Sequence, residues 1–226
     1  MKVVAVMPAF QEESRISGTV FGVKQRIPTV IVVDDGSSDQ TGQKAKEAGA
    51  IVLRHVINRG QGASLKTGTL AALALGADIV VHVDADGQHD PEFLPSLIQP
   101  IADGQADVVF GSRFLGVEAL DMPRLRRLVL SGGRLFSTYV LGIPYRVTDA
   151  QAGLRALSSS AARSIDFQLD GKAHCSEILR WVTRSELRWR EVPVRIRYTS
   201  ATLAKGNKTS DAFKIVWELL LGTLRK

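Results

Sequence analysis

Two aspartates one residue apart, Asp84 and Asp86, close an apolar run that begins at Ile79. In an extended chain residues i and i+2 point the same way, so both carboxylates leave the end of a buried strand together. Two adjacent anions at a sheet rim repel each other unless a cation holds them. Oxygen ligands of this kind suit Mg²⁺ or Mn²⁺, which keep room for water and phosphate oxygens. An EF-hand calcium loop would place glycine sixth and glutamate twelfth. Counted from Asp84, Gly87 is fourth and Pro95 twelfth, which excludes that reading. A solvated acidic turn competes with the cation site, and the rest of the chain must decide between them.

Further polar groups follow other apolar runs: Gln11-Glu12, and Asp34-Asp35-Gly36-Ser37. Arg124, Arg126, Arg127 and Arg134 form a basic cluster farther along. The segment Gly60-Gln61-Gly62-Ala63-Ser64-Leu65-Lys66-Thr67 ends like a phosphate loop, but Leu65 stands where either a P-loop or a dinucleotide fingerprint needs glycine. A glycine-rich helix start after Asn58 is the better account. His55, His82, His89 and His174 show no mutual metal-ligand spacing, and His89 is expected to cap or pack a turn.

The elements that must position these groups alternate in a regular way. Residues 2–7, 29–33, 51–53, 79–83 and 108–110 read as buried strands rich in Val and Ile. Residues 12–24, 41–48, 62–75 and 91–102 have helical spacing. That rhythm argues for parallel βαβ units with helices on both faces. Ligands of such sheets bind beyond the carboxyl ends of the strands, where the three acidic groups fall, so they read as one site. Beyond Gly111-Ser112-Arg113 the rhythm breaks. Residues 121–141 read as a helical excursion, 159–165 and 173–184 as helices, 187–196 as a strand, and 199–210 as a mobile loop carrying Lys205-Gly206-Asn207-Lys208.

The chain has 226 residues, 45% of them hydrophobic, which suits one α/β domain with a full core. Its formal net charge of +6 points to an anionic partner. Nucleic acid fits worst, because the basic residues cluster beside the acidic pair and lack interleaved aromatics. The single cysteine, Cys175, suits a reducing compartment. The apolar run at the start is too short for a signal peptide, and no stretch approaches the roughly 20 apolar residues of a membrane span. A cytoplasmic location is therefore expected.

In order, the chain reads Pro8-Ala9-Phe10-Gln11-Glu12-Glu13, then Val33-Asp34-Asp35-Gly36-Ser37-Ser38-Asp39-Gln40-Thr41, then Asn58-Arg59-Gly60-Gln61-Gly62. There follow Asp84-Ala85-Asp86-Gly87-Gln88-His89-Asp90-Pro91-Glu92, Gly111-Ser112-Arg113, and Asp149 with Gly153 and Arg155. This series resembles the family 2 glycosyltransferases of GT-A fold, and among them the polyprenyl (dolichyl) phosphate mannosyl- and glucosyltransferases. Gln11 stands for the usual Asn, Phe10 for the frequent Tyr, and Leu154 for the frequent Phe. The resemblance implies a mixed, mainly parallel, Rossmann-like sheet with helices on both faces, over residues 1–209. It also implies roles. Pro8, Phe10, Glu12, Val33, Asp35, Asp84, Ala85 and Asp86 would line the nucleotide-sugar site. Asp84, Asp86 and Gln88 would hold Mg²⁺ or Mn²⁺. Arg113 and Arg127, with Ser131 and Lys205, would hold the acceptor phosphate. Asp149 would orient a substrate hydroxyl or an arginine, and Asp86, Arg113, Arg127 and Asp149 would carry the catalysis.

Residues 210–226 place Phe213, Val216, Trp217, Leu220 and Leu224 at helical spacing, flanked by Lys214, Arg225 and Lys226. A basic amphipathic helix with a tryptophan reads as a membrane-interface anchor or as a contact for a membrane-bound partner subunit. Packing on the domain is the alternative. The expected activity is inverting transfer of a hexose from a nucleotide-diphosphate sugar (GDP-mannose or UDP-glucose type) to a polyprenyl phosphate. It would take place at the cytoplasmic face of a membrane, on a peripherally bound enzyme. A soluble anionic acceptor, or a non-catalytic nucleotide-sugar-binding subunit, are the competing expectations.

Overall fold

A computed structural model describes residues 1–115, 138, 142, 144, 146–149, 153–171 and 173–196. Strand β1 (Val3–Ala9) leads to α1 (Ile16–Lys24), β2 (Thr29–Asp34) to α2 (Thr41–Glu47), and β3 (Ile51–Arg54) to α3 (Gln61–Ala74). Strand β4 (Ile79–His82) is followed by a 3₁₀ turn (Pro91–Phe93) and α4 (Leu94–Ala102). Then come β5 (Val108–Ser112), β6 (Arg155–Ser158), α5 (Ser159–Ser164), α6 (His174–Arg184) and β7 (Trp189–Pro193).

The strands form one sheet in the order β3-β2-β1-β4-β6-β5-β7. Pairing is parallel between β1 and β2, β1 and β4, β2 and β3, and β5 and β7, while β6 runs antiparallel to both β4 and β5. All strands except β6 therefore point the same way and deliver their carboxyl ends to one rim. The period-2 alternation of buried strands explains the two-sided core. Val4 and Val6 pack with Leu65, Ala72, Leu157 and Leu179 on one face. Ala5 and Met7 pack with Ile16, Val20, Leu94 and Leu97 on the other.

Two departures from the sequence pattern have local causes. Helix α1 begins at Ile16 and not at residue 12. Gln11 takes a left-handed φ of 52°, its N–H donates to Ser37 Oγ, and the Glu12 N–H donates to Thr41 Oγ1. Those amides are committed to the β2–α2 loop, so the helix starts after them. The second departure is β6, a four-residue strand centred in what reads as a loop. It contains Arg155, fully buried, whose Nε donates to His82 Nδ1 at 3.1 Å. A charged residue in a short run hides a strand from periodicity.

Arg127, Ser131, Lys205 and the whole of 210–226 lie outside the described residues, as do the other arginines of the basic cluster. No helix among the described residues is long and apolar enough to cross a membrane.

Candidate active site

The rim brings the acidic strand ends together. At the end of β2, Asp35 is buried, and its main-chain N–H donates to Ala9 O at 2.8 Å, tying it to the end of β1. Its carboxylate accepts from the N–H groups of Arg59 (3.0 Å) and Gly60 (2.7 Å). His55 Nδ1 lies 2.7 Å from Oδ1; a carboxylate has no proton to give, so the imidazole donates here. Burial raises the pKa of Asp35, but the hydrogen bonds from Arg59, His55, Gly60 and Ser64 outweigh it and hold the group below the ordinary carboxylate value. Asp35 is thus ionised and fixes the loop that starts α3. Gly60 and Gly62 permit that loop: a Cβ at either would lie 2.3 Å or 2.1 Å from a carbonyl oxygen of the Leu169 and Asp170 segment.

Asp84 and Asp86 follow β4. Gln61 Nε2 donates to Asp84 Oδ1 at 2.8 Å, and His89 Nε2 lies 3.1 Å from Oδ2. Burial opposes ionisation of Asp84, yet the His89 hydrogen bond and the charges of His89, His174 and Arg155 leave its pKa lowered. Asp86 is pushed the other way, first by burial and then by the charge of Asp84, with Glu12 adding to it. The Gln88 N–H to Asp86 Oδ1, at 3.0 Å, does not reverse that. The site therefore holds carboxylates whose mutual repulsion its own hydrogen bonds leave uncompensated, with the Gln88 side chain on the same cleft wall. An all-oxygen set with excess negative charge fits a hard divalent cation. No group of three His, Cys, Asp or Glu side chains suited to a metal occurs among the described residues. Asp84, Asp86 and Gln88 would accordingly supply part of the coordination and leave the rest to water and diphosphate oxygens.

Across the cleft stands Arg113, just after β5. Its Nε donates to Asp149 Oδ2 at 2.7 Å and its Nη2 to Oδ1 at 2.6 Å. Asp149 thus pairs with Arg113 through two charge-assisted hydrogen bonds. Asp84, Gln88, His89, Arg113, Asp149 and Gly153 line one cleft. Gly153 is required there: a Cβ would sit 2.8 Å from Asp84 Oδ2. Its spacing from Asp149 thus reflects a close approach between the two walls.

The remaining expected donor residues divide by exposure. Phe10 is exposed and Glu12 half-buried at the rim, the latter 3.4 Å from Arg15 Nε. Pro8 and Val33 are buried, and the Val33 side chain packs against α3 beside Gly68. Ala85 is buried, and its carbonyl accepts from Thr19 Oγ1. The sequence suggests no role for Gln61, which lies inside the motif of residues 58–62, or for His55, three residues before it. It puts His89 near the site at a turn, and the fold sets His89 against Asp84. Behind Asp84, Cys175 Sγ lies 3.4 Å from His174 Nε2 and 3.9 Å from Arg155 Nη2. Burial raises that thiol, and the charges of His174 and Arg155 with the His174 hydrogen bond bring it down to about 7.

This mixed, mainly parallel sheet, with helices on both faces and its acidic strand ends at one rim, is a GT-A fold. The family model for glycosyl transferase family 2 matches residues 4–165, and the chain belongs to that family. A UDP-N-acetylglucosamine–dolichyl-phosphate N-acetylglucosaminyltransferase of Methanococcus voltae is 36% identical, over 96% of this chain and 94% of that protein. An undecaprenyl-phosphate mannosyltransferase of Micrococcus luteus is 29% identical, over 100% and 93%. Among solved structures, glucosyl-3-phosphoglycerate synthase of Mycobacterium tuberculosis with Mn²⁺ and UDP-glucose superposes with a TM-score of 0.78 at 21% identity, covering 99% of this chain and 78% of that one. That likeness is one of fold.

Proposed function

We propose that this glycosyltransferase moves a hexose, with inversion, from a nucleoside-diphosphate sugar to a polyprenyl or dolichyl phosphate at a membrane surface. The observation that carries the proposal is one cleft with the Asp84 carboxylate on one wall and the Asp149-oriented guanidinium of Arg113 on the other. The near full-length likeness to lipid-phosphate glycosyltransferases supports the acceptor class.

On this reading the donor lies over the ends of β1, β2 and β4, within reach of Phe10, Glu12 and Asp35. A divalent ion bound by Asp84, Asp86 and Gln88 would supply charge neutralisation for the departing nucleoside diphosphate. A phosphate monoester already carries an anionic oxygen nucleophile, so no strong general base is needed. That oxygen attacks the anomeric carbon, forming the new C–O bond as the bond to the diphosphate breaks. Arg113, with Arg127 and Ser131 and with Lys205, positions the acceptor phosphate without protonating its nucleophile. Residues 210–226 would lay Trp217 at the lipid boundary with cations at anionic headgroups, on the cytoplasmic face.

A panel of GDP- and UDP-sugars assayed with a short polyprenyl phosphate, by release of nucleoside diphosphate and recovery of glycolipid, tests the proposal. One donor should give metal-dependent glycolipid formation. Transfer to a soluble phosphorylated acceptor alone, with none to the lipid phosphate, would overturn it.

A further inference from the structure

The pairing of Arg113 with Asp149 fixes the guanidinium plane only if Asp149 itself is fixed. Asp149 is 2% exposed and lies on an irregular stretch after Val147, so no helix or strand ladder holds it. The Glu191 carboxylate holds this stretch. Glu191, in β7, accepts from the Thr148 N–H at 2.9 Å (Oε2) and 3.1 Å (Oε1), from the Thr148 hydroxyl at 3.0 Å, and from the Asp149 N–H at 3.0 Å. The Thr148 hydroxyl also lies 2.6 Å from Ser112 Oγ, at the end of β5. Glu191 pairs in register with Phe110 of β5, the strand that leads into Arg113. Both ends of the arrangement are thus anchored in the same parallel strand pair, and the chain of contacts closes on itself.

We infer that Glu191 is a positioning residue for Arg113: it holds the main chain of Thr148 and Asp149 so that Asp149 presents the guanidinium in one orientation at the cleft wall. The Glu191 carboxylate meets amide and hydroxyl donors of the loop, and Asp149 carries the contact on to the arginine. A carboxylate accepting several N–H groups gives charge-assisted hydrogen bonds, about twice as strong as neutral ones. That strength is what an irregular loop requires to match a strand in rigidity. The functional consequence rests on the proposed acceptor role of Arg113; the structural one does not.

Glu191→Gln keeps the shape and one accepting oxygen but removes the charge behind these hydrogen bonds and the second oxygen that Thr148 uses. Three readouts separate positioning from simple loss of fold: the acceptor KM, the calorimetric donor Kd, and hydrogen exchange of the Arg113 Nε–H by ¹⁵N NMR without substrates. The expected result is exchange about tenfold faster and an acceptor KM about tenfold higher, with donor Kd within about twofold, as for loss of one charge-assisted hydrogen bond. Thr148→Val, which removes only the hydroxyl, should shift exchange and acceptor KM the same way by less, and serves if Glu191→Gln folds poorly. Unchanged Arg113 exchange in both variants overturns the inference, as does an equal rise of donor Kd and acceptor KM. Faster exchange with an acceptor KM unmoved in Glu191→Gln and in Arg113→Ala upholds the hold of Glu191 and sinks the acceptor reading instead.

Discussion

The half of the rim proposed for the donor, built on β1 to β4, and the half proposed for the acceptor, built on β5 to β7, are organised by different means. In the donor half Asp35 is gripped by main-chain N–H groups of Arg59 and Gly60, and the loop it grips is locked by close glycine contacts with residues 169–170. In the acceptor half Arg113 is set by the side chain of Asp149, and Asp149 by the side chain of Glu191. A main-chain donor such as Arg59 N keeps its hydrogen bond when its side chain is changed, whereas a relay of side chains fails at whichever member is changed. On the proposed reading the donor half is set by main chain and close glycine packing, and the acceptor half by specific side chains at each step.

The largest expected effect lies where the halves meet. Asp86→Asn should lower turnover by about 10³-fold, the scale of several kcal/mol of lost charge stabilisation. The fold should not suffer. Because burial and Asp84 raise the pKa of Asp86, its ionised form is less favourable in the folded chain than in the unfolded one. Removing that charge should leave the melting temperature of the metal-free protein equal to or above that of the native chain. Nucleoside-diphosphate release with Mg²⁺ or Mn²⁺ and a thermal melt check both parts. Near-normal turnover would remove the shared acidic rim from the chemistry and leave the two halves unconnected.

A smaller, crossed effect distinguishes the halves directly. Asp35→Ala removes the acceptor of two amides and the His55 contact, and should weaken donor binding by about 10- to 100-fold in calorimetric titration. Arg113→Ala should leave donor affinity within about twofold and raise the acceptor KM by about 10- to 100-fold. If Arg113→Ala weakens the donor instead, the arginine belongs to the diphosphate and the division drawn above is misplaced.

The smallest effect on activity is expected at Cys175, behind the junction of the two halves. A folded thiol with its pKa at about 7, against an ordinary 9.0, stabilises the fold at high pH and loses that contribution as pH falls through 7. The melting-temperature advantage of the native chain over Cys175→Ser should therefore grow from pH 7 to pH 9. Turnover of the variant should stay close to normal. An advantage that shrinks over the same window would mean that Arg155 and His174 do not stabilise the thiolate.

Most of the donor half was legible in the sequence. Five Val- and Ile-rich runs gave β1 to β5 to within a few residues: β1, β2, β4 and β5 are apolar because they are buried on both faces, whereas β3, expected to be buried, is a partly exposed edge strand. The apolar run ending at Val83 placed Asp84 and Asp86 just beyond a strand end, although Asp86 lies in the turn after β4 and not in extended chain. The family resemblance came from motifs in order, and needed no structure. Strand β6 escaped because Arg155 sits in it, buried against His82, and no periodicity marks a charged residue as core.

What tertiary structure alone decided were the partners of the functional side chains. Arg113 and Asp149 are 36 residues apart, and Asp149 and Glu191 are 42 apart, so neither contact leaves a trace in local spacing. The placement of His89 on Asp84, and the need for glycine at 153, likewise arise only when the loop beyond β4 meets the segment before β6. Residue type fixes what a side chain is able to do, and local pattern fixes which way it points. Which charge it meets depends on the crossovers of the sheet, because β6 enters between β4 and β5 and carries the acceptor wall against the acidic rim.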